Sequence, residues 1–531
     1  MNRKTVVLPV LAGLLAPLLA ACGDGSGSGG DDTVVVGTTD EFAVSKDTPA
    51  PFDPAASYDV AAWNIMRNTF QTLVRIPRSG TEPEADAAEK CSFTDAHNEQ
   101  YRCTLKEGQR FSNGNELDAE DVEFSIRRQL SINYVNGPAS LFANVDKVEA
   151  VDEKQVVFHL KKPDATFPLK LTTPAAAIVD SETYPKDGFV DGFSVTGSGP
   201  YVVDSFEPSD GKAVLSRNPK YDGGLDVRNK EIELRFFKSA KSMEQALTAG
   251  DIDVMNRTIS PSQVDRLGTA KDKGVQLVEQ SGQEIRYLVF DTDDRVVGRK
   301  AVRQAMAQVI DRQKLVRDAY SRASEALYSI VPSGLPGHKN SFFNEYGQPS
   351  VAAARATLSK ANIDTPVKVQ LDYTTDHYGE VTTDEFKVLK KQLNDTGLFE
   401  VTTKGTKWKT FHPATAKKVF QIYGFGWFPD FPDAESYLAP FFEENNVLHS
   451  PYVNREIRDK LIPESRRLTE RANAAKQFGR AQDLVAKDVP LLPLWQGKQY
   501  VAARDDITGV EWALNASSIN QFWELGRGVS D

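Results

Sequence analysis

Asp430 and Asp433 stand three residues apart in residues 420–442, a segment built unlike the rest of the chain. Within the ten positions 424–433 it holds Gly424, Gly426, Trp427, Pro429, Pro432 and both carboxylates. Three chemistries fit that composition. Paired carboxylates can serve as the acid and base of a hydrolase. One carboxylate on a rigid aromatic turn can fix a ligand's orientation in a pocket. Alternatively, the Gly, Pro and Asp residues make a surface turn with solvated acids. The hydrolase lacks further support, because no G-x-S-x-G elbow and no H-E-x-x-H helix occurs in the chain. The six histidines, His97, His159, His338, His377, His412 and His449, form no close pair, which argues against a dedicated metal cage.

A turn of this kind needs a strand to deliver it, and Phe420 and Ile422 have the alternation for one. The start of the chain indicates where such a site would work. Arg3 and Lys4 precede an apolar run, residues 6–20, that ends in Leu19-Ala20-Ala21-Cys22. Residues 1–21 therefore read as a secretory signal peptide, with an apolar run too short to span a membrane comfortably. Leu-Ala-Ala-Cys resembles the bacterial lipobox, which implies lipidation of Cys22. Residues 22–32, rich in Gly, Ser and Asp, then form a flexible tether. Gly25, Gly27 and Gly30 match G-x-G-x-x-G but neither follow a strand nor open a helix, so no dinucleotide site is expected there.

With Cys22 given to lipid, Cys91 and Cys103 remain as an even pair in an oxidising compartment and are expected to be bridged. Closing that loop contributes about 3 kcal/mol in the chain-entropy model. At 531 residues the chain exceeds one core and should form two or three domains. Its composition, 40% hydrophobic and 26% charged, is that of a globular protein. A net charge of -11 leaves no basic face for nucleic acid.

Along the body, residues 34–37 read as a buried strand. It opens into the irregular residues 38–54, the kind of loop on which α/β proteins place ligand contacts. Residues 61–73 have helical spacing. Tyr101 to Leu105 alternate as a strand, Asn113-Gly114 turns, and Asp118 caps a helix whose buried stripe is Val122, Ile126 and Leu130. Residues 148–150 and 156–160 make a hairpin. Gly250 can end one helix. Val302, Ala305, Met306, Val309 and Ile310 form the apolar face of another, and Asp311 caps the next. Strands alternate with helices over residues 213–254 and again over 283–399, which makes the fold class α/β.

Five of these blocks, taken in order, carry a resemblance. They are Leu105-Lys-Glu-Gly-Gln-Arg-Phe-Ser-Asn-Gly-Asn-Glu-Leu-Asp-Ala-Glu-Asp-Val-Glu-Phe-Ser125, Thr196-Gly-Ser-Gly-Pro-Tyr201, Ala249-Gly-Asp-Ile-Asp-Val254, Val302-Arg-Gln-Ala-Met-Ala-Gln-Val-Ile-Asp-Arg312 and Val489-Pro-Leu-Leu-Pro-Leu494. Together the chain resembles the solute-binding proteins that feed ABC importers for oligopeptides, dipeptides and, in some branches, nickel. The resemblance implies a two-lobed, type II periplasmic-binding-protein-like fold with mixed sheets, a hinge and an extra inserted domain. On that pattern lobe I comprises residues 33–62, 196–282 and 503–531, the inserted domain residues 63–195, and lobe II residues 283–502.

The segment around Asp430 resembles the family's Gly-Trp-x-x-Asp-x-x-Asp-Pro, with Trp427, Asp430 and Asp433 in matching places. The resemblance assigns Asp430 to a ligand ammonium, which needs a fixed counter-charge once enclosed. Phe425, Gly426 and Trp427, with Phe428 beside them, would pair a peptide as an added strand. Thr39, Glu41 and Phe42, with Asp40, would close the other side, and Asp433 suits a helix cap better than a ligand contact. Pro429 and Ala434 depart from the pattern. Arg286 and Arg295 are the candidates for a ligand carboxylate. What is implied is a monomeric, lipid-anchored binding protein on the extracytoplasmic face, with no enzymatic activity, cofactor or nucleic-acid partner. It would deliver short peptides to an ABC permease. The alternatives are a nickel chelate or oligosaccharide in the same fold, or a peptide-sensing signalling lipoprotein.

Overall fold

The computed structural model describes residues 32–78, 80–256, 259–269, 274–321, 323–379, 381–444 and 446–528. The expected signal peptide, Cys22 and residues 22–31 of the tether lie outside them.

Two long antiparallel strands, Val275–Phe290 and Leu491–Arg504, run down the middle of one 11-stranded mixed sheet. Beyond Leu491–Arg504 the sheet continues through Val254–Asn256, Thr33–Thr38, Glu231–Phe236, Lys212–Arg217 and Tyr201–Glu207. Beyond Val275–Phe290 it continues through Ile422–Trp427, Val367–Thr374 and Phe399–Thr406. Thr33–Thr38 pairs parallel with both its neighbours, and Val34 and Val36 are buried while Val35 is half-buried, in keeping with a parallel strand covered on both faces.

Between Ser281 and Ile285 the register of the two long strands shifts. A Cβ on Gly282 would lie 2.5 Å from the carbonyl oxygen of Gly497, so only glycine allows the backbones to approach this closely. Apolar side chains collect on either side of that point. One cluster contains only residues from Ile285 to Trp495. Another gathers residues from Val34 to Val254 together with Val501 to Leu525. The four-stranded sheet of Ala88–Phe93, Gln100–Leu105, Gln155–Leu160 and Val145–Ala150 packs into this second cluster. Cys91 and Cys103 face each other across its first two strands and are bridged.

Local signals in the sequence account for many element ends. Asp118 and Asp121 form a capping box on the helix Ala119–Ile132, which buries Val122 and Ile126 and half-buries Leu130. Gly250 ends the helix Ala240–Ala249 at φ 83°, and Asp311 caps Arg312–Leu315. The helix expected over residues 61–73 is shorter, Val60–Thr69, and the chain is extended from Phe70. Its end is set from outside the segment: Gly199 N–H donates to the Thr69 carbonyl (3.0 Å), and a Cβ on Gly197 would lie 2.1 Å from that oxygen. The Thr196-Gly-Ser-Gly-Pro-Tyr201 block is thus the stop for this helix.

Candidate ligand-binding cleft

The strand Ile422–Trp427 delivers the two carboxylates and then gives them different surroundings. Asp433 accepts from Glu435 N–H (2.8 Å) and caps the short turn Ala434–Tyr437, where Ala434 is buried. Its two oxygens also receive Arg471 Nε and Nη2, at 2.8 and 3.0 Å. Both oxygens of Asp433 are satisfied, and no acid-base pair with Asp430 is assembled.

The Asp430 backbone N–H donates to Ser436 Oγ (3.0 Å), while its side chain meets the other half of the molecule. Tyr58 Oη donates to Asp430 Oδ1 at 2.9 Å, joining residues 372 positions apart. Asp430 Oδ2 is buried and has no hydrogen-bond partner. Burial pushes this carboxyl up to about 7, against the opposing pull of the Tyr58 hydrogen bond and the Lys170 charge. A cation beside Oδ2 would restore the charged form. Trp427 is half-buried and turns into its own half, where its indole N–H donates to the Ser436 carbonyl (2.7 Å) and its ring meets Phe441 edge-on.

Asp430 lines a cavity of about 20 Å³, room for roughly one water. Five stretches build its wall: Trp63 and Arg67 from the helix Val60–Thr69, Ile76, residues 172–174, Asp430 with Pro432, and residues 515–517 with Ile519. The two halves are in contact around this cavity. Further contacts join them, including Ala165 N–H to the Arg466 carbonyl (2.8 Å) and Thr469 Oγ1 to Asn98 Oδ1 (3.1 Å).

Gly426 and Phe428 border a second centre, Arg286. Its guanidinium is 6% exposed as a residue, ion-paired to Glu284, and lies 3.8 Å from the Tyr378 ring centroid, 5.2 Å from Trp495 and 5.9 Å from Phe428. A Cβ on Gly426 would sit 2.0 Å from Arg286 Nη1, which explains the glycine. Gly426 N–H donates to Tyr378 Oη (3.1 Å), so the hydroxyl occupies the donor that an added peptide strand would use. Phe425 is buried among Tyr378, Trp408 and Tyr423.

The expected closing loop is divided. Asp40 Oδ2 accepts from Asn64 (3.5 Å) on the cavity helix, which keeps the neighbouring Thr39 near it. Glu41 is exposed. Phe42 packs on Phe52, Phe206 and Phe236 at 5.1 to 5.6 Å and is not brought to Asp430, because apolar neighbours of its own half claim the ring. Arg295 is exposed on the loop before the helix Lys300–Val309. Sequence reasoning missed Tyr58, Arg67 and Tyr378, which carry no motif. It also missed that the fold gathers histidines: His377 and His412 both stack on Trp408, at 3.7 and 4.7 Å, and burial and then His449 lower the pKa of His412. Among the described residues no group of three or more His, Cys, Asp or Glu could hold a metal ion.

Comparison with known proteins places the architecture. The model of the bacterial extracellular solute-binding proteins, family 5, matches residues 82–448. The probable D,D-dipeptide-binding periplasmic protein DdpA of Escherichia coli (strain K12) is 26% identical over 486 residues, 87% of this chain and 89% of that one. The oligopeptide-binding protein OppA of Bacillus subtilis (strain 168) is 24% identical over 513 residues, 90% and 91%. A dipeptide-binding protein from Pseudoalteromonas sp. SM9913, solved with Met-Leu, superposes with a TM-score of 0.80 at 18% identity, covering 93% of this chain and all of that one. That likeness speaks to the fold, a type II periplasmic-binding-protein arrangement of mixed α/β sheets, as expected. Among the described residues no helix is long and apolar enough to cross a membrane. This chain belongs to family 5 of the bacterial extracellular solute-binding proteins, a family of binders rather than enzymes.

Proposed function

We propose that this protein captures short peptides bearing a free amino terminus in the cleft at Asp430 and hands them to the permease of an ABC importer. One observation carries the reading: Asp430 Oδ2, buried and unpartnered, faces the joint between the two halves beside Tyr58. A peptide ammonium placed there supplies the missing donor and lets the carboxylate ionise. Relatives named as binders of D,D-dipeptides and oligopeptides support the ligand class. A neighbouring structure, DppA from Helicobacter pylori with the peptide STSA, supports it on fold alone.

In this reading the halves move about the register shift at residues 281–285, with residues 63–195 as an insertion in lobe I. Lipid on Cys22 holds the monomer at the extracytoplasmic face of the membrane. Native mass spectrometry of freshly purified protein should reveal retained peptides; a glycan or a nickel chelate in their place overturns the proposal. For the anchor, intact-mass analysis should show a diacylglyceryl group that Cys22→Ser loses together with membrane retention.

A further inference from the structure

The wall of the cavity opposite in charge to Asp430 is supplied by Arg67. This residue is 8% exposed, lies on the helix Val60–Thr69 and lines the same cavity. Among the described residues no hydrogen bond or ion pair engages its guanidinium, and Nε is buried without a partner. Its one packing contact of charged character is the Trp523 ring, 5.6 Å from Cζ. The nearby acid that could have neutralised it, Asp86, is already used by Arg75 (3.7 Å), Gln71 Nε2 (3.3 Å) and Thr72 N–H (3.3 Å). Arg67 and Asp430 line the same cavity, and among the described residues no ion pair joins them.

A guanidinium without a direct partner at this depth costs stability: burial lowers its pKa, against the opposing pull of the Asp86 charge. Arg286 is the instructive contrast. It is equally buried, but it is ion-paired with Glu284 and stacked by Tyr378, and needs nothing from a ligand. Resting on the peptide reading above, we propose that Arg67 is the anchor for a carboxylate of the bound ligand. Asp430 and Arg67 would then hold opposite charges of one molecule, each contributed by a different half of the protein. A fork-shaped guanidinium suits a carboxylate in two-point contact. The carboxylate can be the peptide's own terminus or an acidic side chain.

Calorimetry on wild type, Arg67→Gln and Arg67→Lys separates these sources. The probes are Ala-Ala, its N-acetyl form, its C-terminal amide, and Ala-Asp amide. Wild type should favour Ala-Ala over its amide by about tenfold or more, the scale of one charge-assisted contact. Arg67→Gln should erase that preference while leaving the preference for a free amine intact, and Arg67→Lys should restore part of it. If Ala-Asp amide recovers binding to wild type but not to Arg67→Gln, the side chain is the source. A terminal-carboxylate preference that survives in Arg67→Gln overturns the proposal.

Two measurements stand apart from peptide binding. Trp63 and Trp523 border Arg67, so acetate titrated at constant ionic strength should change tryptophan fluorescence saturably in wild type and not in Arg67→Gln. If wild type binds none of the peptides, the peptide reading fails while a saturable acetate response still supports the anion anchor; no response in wild type overturns it. The ligand-free Tm of Arg67→Gln should equal or exceed that of wild type, whereas a structural arginine would lower it.

Discussion

Asp430 and Asp433 leave the same strand three residues apart, and the fold treats them in opposite ways. Asp433 caps a turn and is gripped by Arg471, so its charge is fully compensated inside one half of the molecule. Asp430 receives one hydrogen bond from the other half and keeps a bare oxygen. Asp433 is buried and so is Oδ2 of Asp430, so burial alone does not distinguish a structural acid from a binding one. The distinction lies in whether the protein itself completes the carboxylate's coordination. A completed site stabilises the fold; an incomplete one stores an unmet demand that a ligand can answer.

The largest effect should come from Asp433→Ala, which removes the carboxylate that Arg471 grips. A loss of about 3–5 kcal/mol in denaturant unfolding is expected, as for breaking a buried ion pair. Asp430→Ala, measured in parallel, should cost far less, and equal losses would abolish the contrast. Next, Asp430→Asn should weaken Ala-Ala binding by about 10- to 100-fold, the scale of a hydrogen bond to a charged group, and leave N-acetylated peptide unchanged. Equal losses for both ligands in calorimetry would remove the ammonium role.

A separate effect should appear in the pH dependence of stability. The folded carboxyl of Asp430 titrates near 7, against an ordinary value of 3.8. The folded chain therefore holds this proton more tightly than the unfolded chain. Its contribution is fully present below about pH 4 and is lost as pH rises through 7. Thermal melts of ligand-free wild type should show that decline, and Asp430→Asn should flatten it. For a free-amine ligand the sign reverses: affinity should rise with pH up to about 7, with proton release detectable in buffers of different ionisation enthalpy. The smallest change is expected from Tyr58→Phe. Losing one hydrogen bond costs about 0.5–1.5 kcal/mol, and the midpoint of the pH effect should move upward because the Tyr58 bond opposes the shift.

What the sequence made legible was local. Asp118, Gly250, Asp311 and Asp433 announce caps because a cap is decided within four residues. Alternation and helical spacing located the strands and buried faces for the same reason. The site is legible only in part. Asp430 stood out through its company of Gly, Trp and Pro, but its partner Tyr58 is an ordinary aromatic residue before a helix cap. Arg67 reads as a polar break in an amphipathic helix until its neighbours are seen to be spoken for. Phe42 was a reasonable candidate by position and was captured by Phe52, Phe206 and Phe236. The end of the helix at Thr69 depends on glycines far along the chain, a tertiary effect that no window of sequence contains.

The way the central sheet is threaded has a consequence for how the chain folds. Thr33–Thr38 is bordered by Val254–Asn256, and that strand's other neighbour is Leu491–Arg504, near the far end of the chain. The sheet cannot close until synthesis is nearly complete, and pairing over such separations is intrinsically slow.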